Sequence, residues 1–353
     1  MADFNSRYNQ WLRRLEKHQL DGFLLTHPPN LAYLFNFTGS TAMACCLNGE
    51  SFLIVDSRYI ETAQTQAVNC QPLLAQGSLA EKLRSIISNK NRSRFRLGVE
   101  ANHISYDLFS TIKSWSKTIE CTPIHELTEK LRMIKDDEEI QNLKQAFQIA
   151  HTAYHRLTKN IVPGMTESIV AGLLELELRK AGGEGLAFET IVASGKRSSL
   201  PHAQATTKQI SPKEFLLIDF GTKYFGYCSD LTRIHLMPDV NKPTIYKVVQ
   251  EAQEKALALI KPGVLCAEID QASRNCIFQS GYGEYFGHSL GHGLGLEVHE
   301  LPSLSSKSQM EIQEGMVFTI EPGIYIPGQY GVRIEDVVVI TQNGFQFLSQ
   351  PGS

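Results

Sequence analysis

Four carboxylates in the second half of the chain, Asp219, Asp230, Glu321 and Glu335, together with a cluster of histidines, have the types and spacing of a metal-ligand set. Phe215-Leu216-Leu217-Ile218-Asp219 reads as an apolar strand ending in a carboxylate, and after Phe220-Gly221 and a turn a second strand reaches Asp230. Side chains alternate along a strand, so Asp219 shares a face with Phe215 and Leu217, and Asp230 with Cys228 and Thr232. One Asp after a strand is ordinarily a turn or cap residue. Two closing on one hairpin in apolar surroundings are costly unless cations compensate them. Between Phe286 and Glu300, His288, His292 and His299 are interleaved with four glycines, which sets imidazoles on irregular backbone at close quarters. A single histidine is more often structural; three in this setting read as functional. Thr319-Ile320-Glu321-Pro322-Gly323 and Gly331-Val332-Arg333-Ile334-Glu335-Asp336 add two acids on apolar strands, with Arg333 on the face of Glu335.

This oxygen-rich set suits Mn²⁺, Co²⁺, Fe²⁺ or Zn²⁺ better than a thiolate-seeking ion. One ion cannot comfortably use so many acids, whereas two ions about 3.5–4 Å apart share bridging carboxylates and a bridging water that ionises near neutral pH. The implied chemistry is hydrolysis of a strong bond with no serine or cysteine nucleophile. The sequence contains no G-x-S-x-G elbow, no G-x-x-x-x-G-K-[ST] phosphate loop and no convincing dinucleotide fingerprint.

The elements that must position these residues repeat. A helix over 136–159 runs into Ile161-Val162-Pro163-Gly164, and a second helix starts near Thr166. The same grammar returns 99 residues later, prolines aligned, as a helix over 243–260, Ile260-Lys261-Pro262-Gly263, and a helix from about Ala267. Pro-Gly between helices is also common turn chemistry. The acids keep the same phase, however: Glu321 follows Asp219 by 102 residues, Glu335 follows Asp230 by 105, and His299 follows His202 by 97. Both halves thus present acids and a histidine to one centre. Ahead of them, helical spacing over 7–19 and pieces at 58–67, 79–88 and 106–114 alternate with strands at 22–25, 42–47, 51–55 and 96–99, the pattern of a layered α/β domain. The charged stretch 127–135 reads as a connector. The expectation is an α/β (α+β) chain of two domains, 1–130 and 131–353, the second with pseudo-twofold internal duplication.

Length and composition agree: 353 residues, 42% apolar and 20% charged, suffice for two cores. A net charge of -3 supplies no basic footprint for nucleic acid or an anionic membrane. The first twenty residues are charged throughout, without the apolar core of a signal peptide, and no run reaches the roughly 18 apolar residues of a membrane span, so the expected location is the cytoplasm. Seven cysteines without a Cys-x-x-Cys pair read as reduced thiols.

Asp219-Phe220-Gly221, Asp230-Leu231-Thr232-Arg233, the block from His288 to Glu300, Glu321-Pro322-Gly323 and Arg333-Ile334-Glu335-Asp336 together resemble the ordered signature of the pita-bread metallopeptidases. That family includes methionine aminopeptidases, Xaa-Pro aminopeptidases and Xaa-Pro dipeptidases (prolidases), with creatinase as a metal-independent relative. Asp21-Gly22-Phe23-Leu24-Leu25 and Phe35-Asn36-Phe37-Thr38-Gly39-Ser40 resemble the creatinase/prolidase amino-terminal domain. The resemblance implies that Asp219 chelates one metal, that Asp230 and Glu335 bridge two, and that His292 and Glu321 bind the other, with manganese the expected ion and cobalt, zinc or iron as alternatives. It implies that Glu321 moves the proton of the attacking water, that His202, in a segment running from Ser194-Gly195 to Pro201-His202, faces the substrate, and that His299 hydrogen-bonds it near the scissile amide. His288 and Arg333 would orient the proline side or its carboxylate. Ala203 and Ile234 depart from the family pattern, which calls for glycine and threonine, and bear on substrate preference alone. The two-domain form points to the proline-specific branch, hence to peptides with proline at the second position and to an Xaa-Pro aminopeptidase, with an Xaa-Pro dipeptidase as the alternative and a non-catalytic peptide-binding relative as the third reading. It also implies a homodimer.

Overall fold

Helix α1 (Phe4–Glu16) starts where the Asp3 carboxylate accepts the Ser6 amide at 2.9 Å, and it turns Trp11 into full burial, with the indole N–H donating to Thr128 Oγ1 at 3.1 Å. The computed structural model describes residues 3–88 and 94–349, which divide into two units, Met1–Arg132 and Met133–Ser353.

In the first unit six strands, β1 (Gly22–Leu25), β2 (Ala42–Leu47), β3 (Glu50–Val55), β4 (Gln71–Leu74), β5 (Phe95–Glu100) and β6 (Ile119–Ile124), form one mixed sheet in the order β4-β3-β2-β1-β5-β6. Helices α2 (Pro28–Phe35), α3 (Ile60–Gln66), α4 (Leu79–Ser88), α5 (Tyr106–Trp115) and the short α6 (Glu129–Arg132) complete it. Three elements escape the sequence reading: α2, β4 and β6, the last carrying Pro123 at the opposite sheet edge. Pro28 and Pro29 disguise α2, although proline is tolerated in a first turn, and Asn36 ends the helix in the left-handed region at φ 54°. Strand β4 carries Pro72 and lies at the sheet edge, paired with β3 alone, the one kind of strand where a missing amide is harmless. The expected connector over 127–135 contains α6.

The second unit is built twice. Helix α7 (Asp137–Thr158) opens with a capping box between Asp136 and Glu139 and packs on α8 (Glu167–Lys180); α9 (Thr244–Leu257) packs on α10 (Cys266–Gln279). Gly164 and Gly263 turn each pair with φ of 89° and 88°, and their amides donate to Ile210 and Ile312 carbonyls at the same 2.9 Å. Equal backbone geometry and equal hydrogen bonds at equivalent positions make the Pro-Gly repeat a structural duplication and not only shared turn chemistry. The first pair is followed by an antiparallel sheet β11-β8-β7, from β7 (Ile191–Ser194), β8 (Phe215–Phe220) and β11 (Leu231–Leu236), with the hairpin β9 (Lys223–Tyr224) and β10 (Tyr227–Cys228) between β8 and β11. The second pair is followed by β12 (Gly291–Gly293), β13 (Glu300–Leu304), β14 (Val317–Ile320), β15 (Gly323–Ile326), β16 (Tyr330–Arg333), β17 (Asp336–Thr341) and β18 (Gly344–Phe347), of which five make the sheet β13-β12-β14-β17-β18 and two the hairpin β15-β16.

Strand β12 is squeezed. A Cβ on Gly291 would strike the Thr319 carbonyl of β14, and one on Gly293 would strike the Leu301 carbonyl of β13. Both glycines therefore let neighbouring backbone close on either side of His292. Gly291→Ala and Gly293→Ala should each lower the unfolding free energy by about 1–3 kcal/mol, the cost of forcing atoms into a filled interior. Thermal melting of each variant beside the parent checks this, and unchanged melting would contradict the close approach.

Candidate metal and peptide site

A cleft of about 590 Å³ in the second unit is lined by Asp219, Asp230, His292, Glu321 and Glu335 together with His202, His288, His299 and Arg333, so all nine residues singled out in the sequence meet in one place. The acids stand where strands end. Asp219 is the fifth residue of β8, opposite Thr232 of β11. Asp230 lies off the ladder between β10 and β11, Glu321 lies just beyond β14, and Glu335 occupies the break between β16 and β17. The simple hairpin and the strand positions expected for Asp230, Glu321 and Glu335 are thus corrected: the interposed β9–β10 hairpin and the strand breaks free these residues from sheet pairing. Breaks of this kind re-aim side chains that a regular pleat would commit to one face.

Asp230, His292 and Glu335 each offer a ligand atom within 4.8 Å of the others. His292 Nε2 lies 3.1 Å from Glu321 Oε1 and 3.8 Å from Asp230 Oδ2, while its Nδ1 sits 3.1 Å from the Gly293 carbonyl. A backbone partner on Nδ1 leaves Nε2 directed at the carboxylates, the arrangement usual for a metal-binding imidazole. Thr319 Oγ1 accepts the His292 amide at 3.0 Å and donates to Glu321 Oε1 at 3.1 Å, and Thr232 Oγ1 donates to Glu335 Oε2 at 2.8 Å. Asp219 Oδ1 and Glu335 Oε1 are buried without a hydrogen-bond partner. Buried carboxylate oxygens in that state are strongly destabilising unless a cation meets them, so the donor set fits hard divalent ions.

Arg333, expected at the proline side or the substrate carboxylate, lines the cleft and is held there by protein groups. It is buried, its Nη2 pairs closely with Asp219 Oδ2, its Nε donates to Thr232 Oγ1 at 2.9 Å, and its Nη1 donates to Tyr325 OH at 2.7 Å and to the Pro201 carbonyl at 3.3 Å. With four of its five N–H donors bonded to protein, the guanidinium has no second donor left to pair with the remaining one toward a carboxylate ligand. Tyr325, Thr232 and Thr319 are the site residues that sequence reading misses; a lone hydroxyl on a strand carries no pattern. His288 Nε2 lies 3.1 Å from Tyr325 OH, and the rings of His292 and His299 are 4.3 Å apart. His202 and His299 are exposed in the cleft. Asp336, beside Glu335, turns away to Arg233 at 2.9 Å and Gln253 at 3.1 Å.

Burial, and then the charges of Glu335, Asp219 and Glu321, push the Asp230 carboxyl well above the usual range; burial and then Glu321 and Asp219 do the same to Glu335. Burial also raises Asp219 against the opposing pull of Arg333. Burial works against the charged forms of Glu321 and His292 too, but their mutual hydrogen bond wins, leaving Glu321 lowered and His292 raised. Burial lowers His288 and His299, which favours neutral imidazoles.

The sign of the pH effect follows. A carboxyl whose pKa is raised on folding, or a histidine raised likewise, binds more protons folded than unfolded, so stability falls as pH rises from the ordinary carboxylate range through the raised values. Asp219, Asp230, Glu335 and His292 all act in this direction, while the contribution of lowered Glu321 is already complete above the ordinary carboxylate range. The lowered histidines, His288 and His299 together with His151 and His235, oppose this only up to the ordinary histidine pKa of about 6.5, so urea unfolding of chelator-treated protein should show decreasing stability from about pH 7 to pH 9, and added divalent metal should reverse the loss by occupying the folded state. Rising stability of the chelated protein over that interval would contradict this electrostatic picture.

Comparison with known proteins agrees with the site. Residues 141–342 match metallopeptidase family M24, and residues 7–134 match the creatinase/prolidase N-terminal domain. The chain is 42% identical to the peptidase YqhT of Bacillus subtilis over 92% of both chains. Among solved structures, an Xaa-Pro dipeptidase from Bacillus anthracis is 38% identical with a TM-score of 0.92, covering 99% of each chain. An X-Pro aminopeptidase from Thermotoga maritima is 36% identical with a TM-score of 0.86, covering 96% of this chain and 98% of that one. The chain belongs to metallopeptidase family M24: it is a peptide hydrolase that works with divalent metal ions, and it carries a creatinase/prolidase N-terminal domain.

Proposed function

We propose that the protein is an Xaa-Pro aminopeptidase that holds two divalent ions, manganese by preference, and removes the first residue of peptides whose second residue is proline. The observation that carries this reading is the convergence of Asp219, Asp230, His292, Glu321 and Glu335 in one cleft, with orphaned carboxylate oxygens and three further histidines around them. In this reading Asp219 would hold one ion, His292 and Glu321 the other, and Asp230 and Glu335 would be shared between them. When bound, such ions supply Lewis acidity and ease the ionisation of water. Glu321, oriented by Thr319 and His292, takes the proton of the attacking water and returns it to the departing nitrogen. Exposed His202 and His299 hydrogen-bond the substrate backbone, and neutral His288, held by Tyr325, borders the proline side.

Proline offers no amide hydrogen and a fixed φ, so recognition depends on shape. Phe188, Ile191, Val298 and Tyr325 give the cleft apolar wall for a pyrrolidine ring. A dipeptidase must also meet a free carboxylate one residue beyond the scissile bond. Arg333 is the Lys or Arg side chain among the described residues lining the cleft, and its donors are committed to Asp219, Thr232, Tyr325 and Pro201. That commitment favours the aminopeptidase over the dipeptidase. The same reading extends to a cytoplasmic homodimer with its domain boundary at residues 130–131.

Hydrolysis of an Xaa-Pro dipeptide beside an Xaa-Pro-Xaa tripeptide, with chelated enzyme and with Mn²⁺, Co²⁺ or Zn²⁺ restored, tests the reading. The tripeptide should be cut after its first residue, and only with metal present. Activity confined to the dipeptide would make the enzyme a prolidase, and inactivity with every ion would make it a peptide-binding relative. Asp230→Ala and Glu335→Ala should each lose more than about a hundredfold in activity, a loss that changes around a metal's ligands alone can reach. Measured metal content should fall with the fold retained by circular dichroism.

A further inference from the structure

We infer that Glu167 and Asp270 are positioning residues, analogous clamps in the two halves of the duplication that fasten the chain segments bearing His202 and His288. The inference rests on the proposed substrate-side placement of those histidines. Glu167 opens α8, whereas Asp270 lies one turn further along α10: the two helices repeat at an offset of 99, from position 167 to position 266, so the acids are counterparts by what they hold and not by strict register. Each carboxylate is fully buried, at 0% exposure, and each is paired with an arginine exposed to the same 27%, Arg197 in one half and Arg274 in the other.

The hydrogen bonds show what the clamps hold. Glu167 Oε1 accepts the Ser194 amide and hydroxyl, both at 2.8 Å; Oε2 accepts Arg197 Nε at 2.9 Å, the Thr206 amide at 3.1 Å and the Thr206 hydroxyl at 2.7 Å. Ser194 and Thr206 are the two ends of the segment whose middle, from Pro201 to Gln204, lines the cleft, and Arg197 also donates to the Gln204 carbonyl. One carboxylate therefore closes this loop at its neck. In the other half Asp270 Oδ1 accepts the Leu290 amide at 3.0 Å and Arg274 Nη2 at 2.9 Å, while Oδ2 accepts Arg274 Nε at 3.0 Å. Arg274 then donates to the Phe286 carbonyl at 3.0 Å and the His288 carbonyl at 2.9 Å, with its guanidinium 4.3 Å from the Phe286 ring centre. The pair thus grips the backbone on both sides of His288 and at the residue itself.

Neither carboxylate lines the cleft, so neither touches a substrate there. A buried, charge-assisted network with every partner satisfied fixes a loop more firmly than neutral bonds do. Ordinary loops are mobile; these two are tied to helices, which holds the imidazoles in place before a peptide arrives.

The decisive experiment uses Glu167→Gln and Asp270→Asn in the full-length protein. Amide hydrogen exchange of chelated protein should rise selectively over 195–206 in the first variant and over 286–290 in the second. This readout needs no substrate, so it judges the clamps even if Xaa-Pro cleavage fails. With metal and peptide, each variant should lose about ten- to a hundredfold in kcat/KM, the scale of a misplacement near 1 Å, with metal content unchanged. The loss should largely vanish when Glu167→Gln is made in a His202→Ala background and Asp270→Asn in a His288→Ala background, because each clamp then has nothing left to position. Unchanged exchange in the two segments, or an equal loss with the histidine already removed, would overturn the inference. If Glu167→Gln fails to fold, Thr206→Val removes one donor while leaving the acid in place and carries the same two expectations.

Discussion

The fold of the second unit is organised around an electrostatic debt at its centre. Four carboxylates, Asp219, Asp230, Glu321 and Glu335, face one cleft, against a single guanidinium, Arg333, and a single imidazole in contact with them, His292. Even with both bases charged, negative charge remains in surplus, and two of the acid oxygens have no partner. Isolated buried charge of this kind is not tolerated in a stable interior without compensation. The protein meets part of the need with neutral donors, Thr232 to Glu335 and Thr319 to Glu321, and with raised carboxyl pKa values. The remainder matches the divalent ions that membership of the family implies.

Placing four acids so close together requires backbone that regular secondary structure does not supply. The duplication solves this by bringing the ends of two sheets to a common centre, each preceded by a helix pair turned at a glycine of nearly the same φ. Asp230, Glu321 and Glu335 all sit at breaks, where the main chain is released from its ladder, and only Asp219 is held within a strand. It is also Asp219 that Arg333 grips. The guanidinium, tied as well to Thr232 and Tyr325, joins an acid of the first half to strands of both halves, a strut across the pseudo-twofold.

Much of this could be read before any coordinates. Apolar strands ending in acids, glycines around His292 and the phase of the repeat are local patterns, and the nine residues they single out do line one cleft. The failures share a physical origin. Helix α2 and strand β4 carry prolines whose tolerance depends on a first turn and a sheet edge, which are facts of context. Tyr325, Thr232 and Thr319 are single hydroxyls whose role lies in partners far along the chain. Arg333 lies on a strand as expected, and the direction of its fork, set by a contact with Asp219 114 positions away, is invisible to local pattern. Glu167 and Asp270 leave no trace in periodicity, since their meaning comes from loops that fold back onto them.

These observations separate two kinds of residue by how they are held. The acids sit on or beside strands packed into the unit's core, where displacement would disturb many neighbours at once. His202 and His288, proposed to face the substrate, ride on loops, each tied to a helix by a few named hydrogen bonds. A change in such a loop can therefore alter which peptide is accepted while leaving the metal ligands in place. Ala203, where the resembled family favours glycine, lies in the first of these loops, immediately after His202. Its φ is not in the left-handed region, so glycine's freedom is not required there and a methyl group is accommodated, buried, without strain. The departure thus touches the shape of the peptide-binding wall and not the chemistry, which is where a duplicated scaffold with independently clamped loops allows variation.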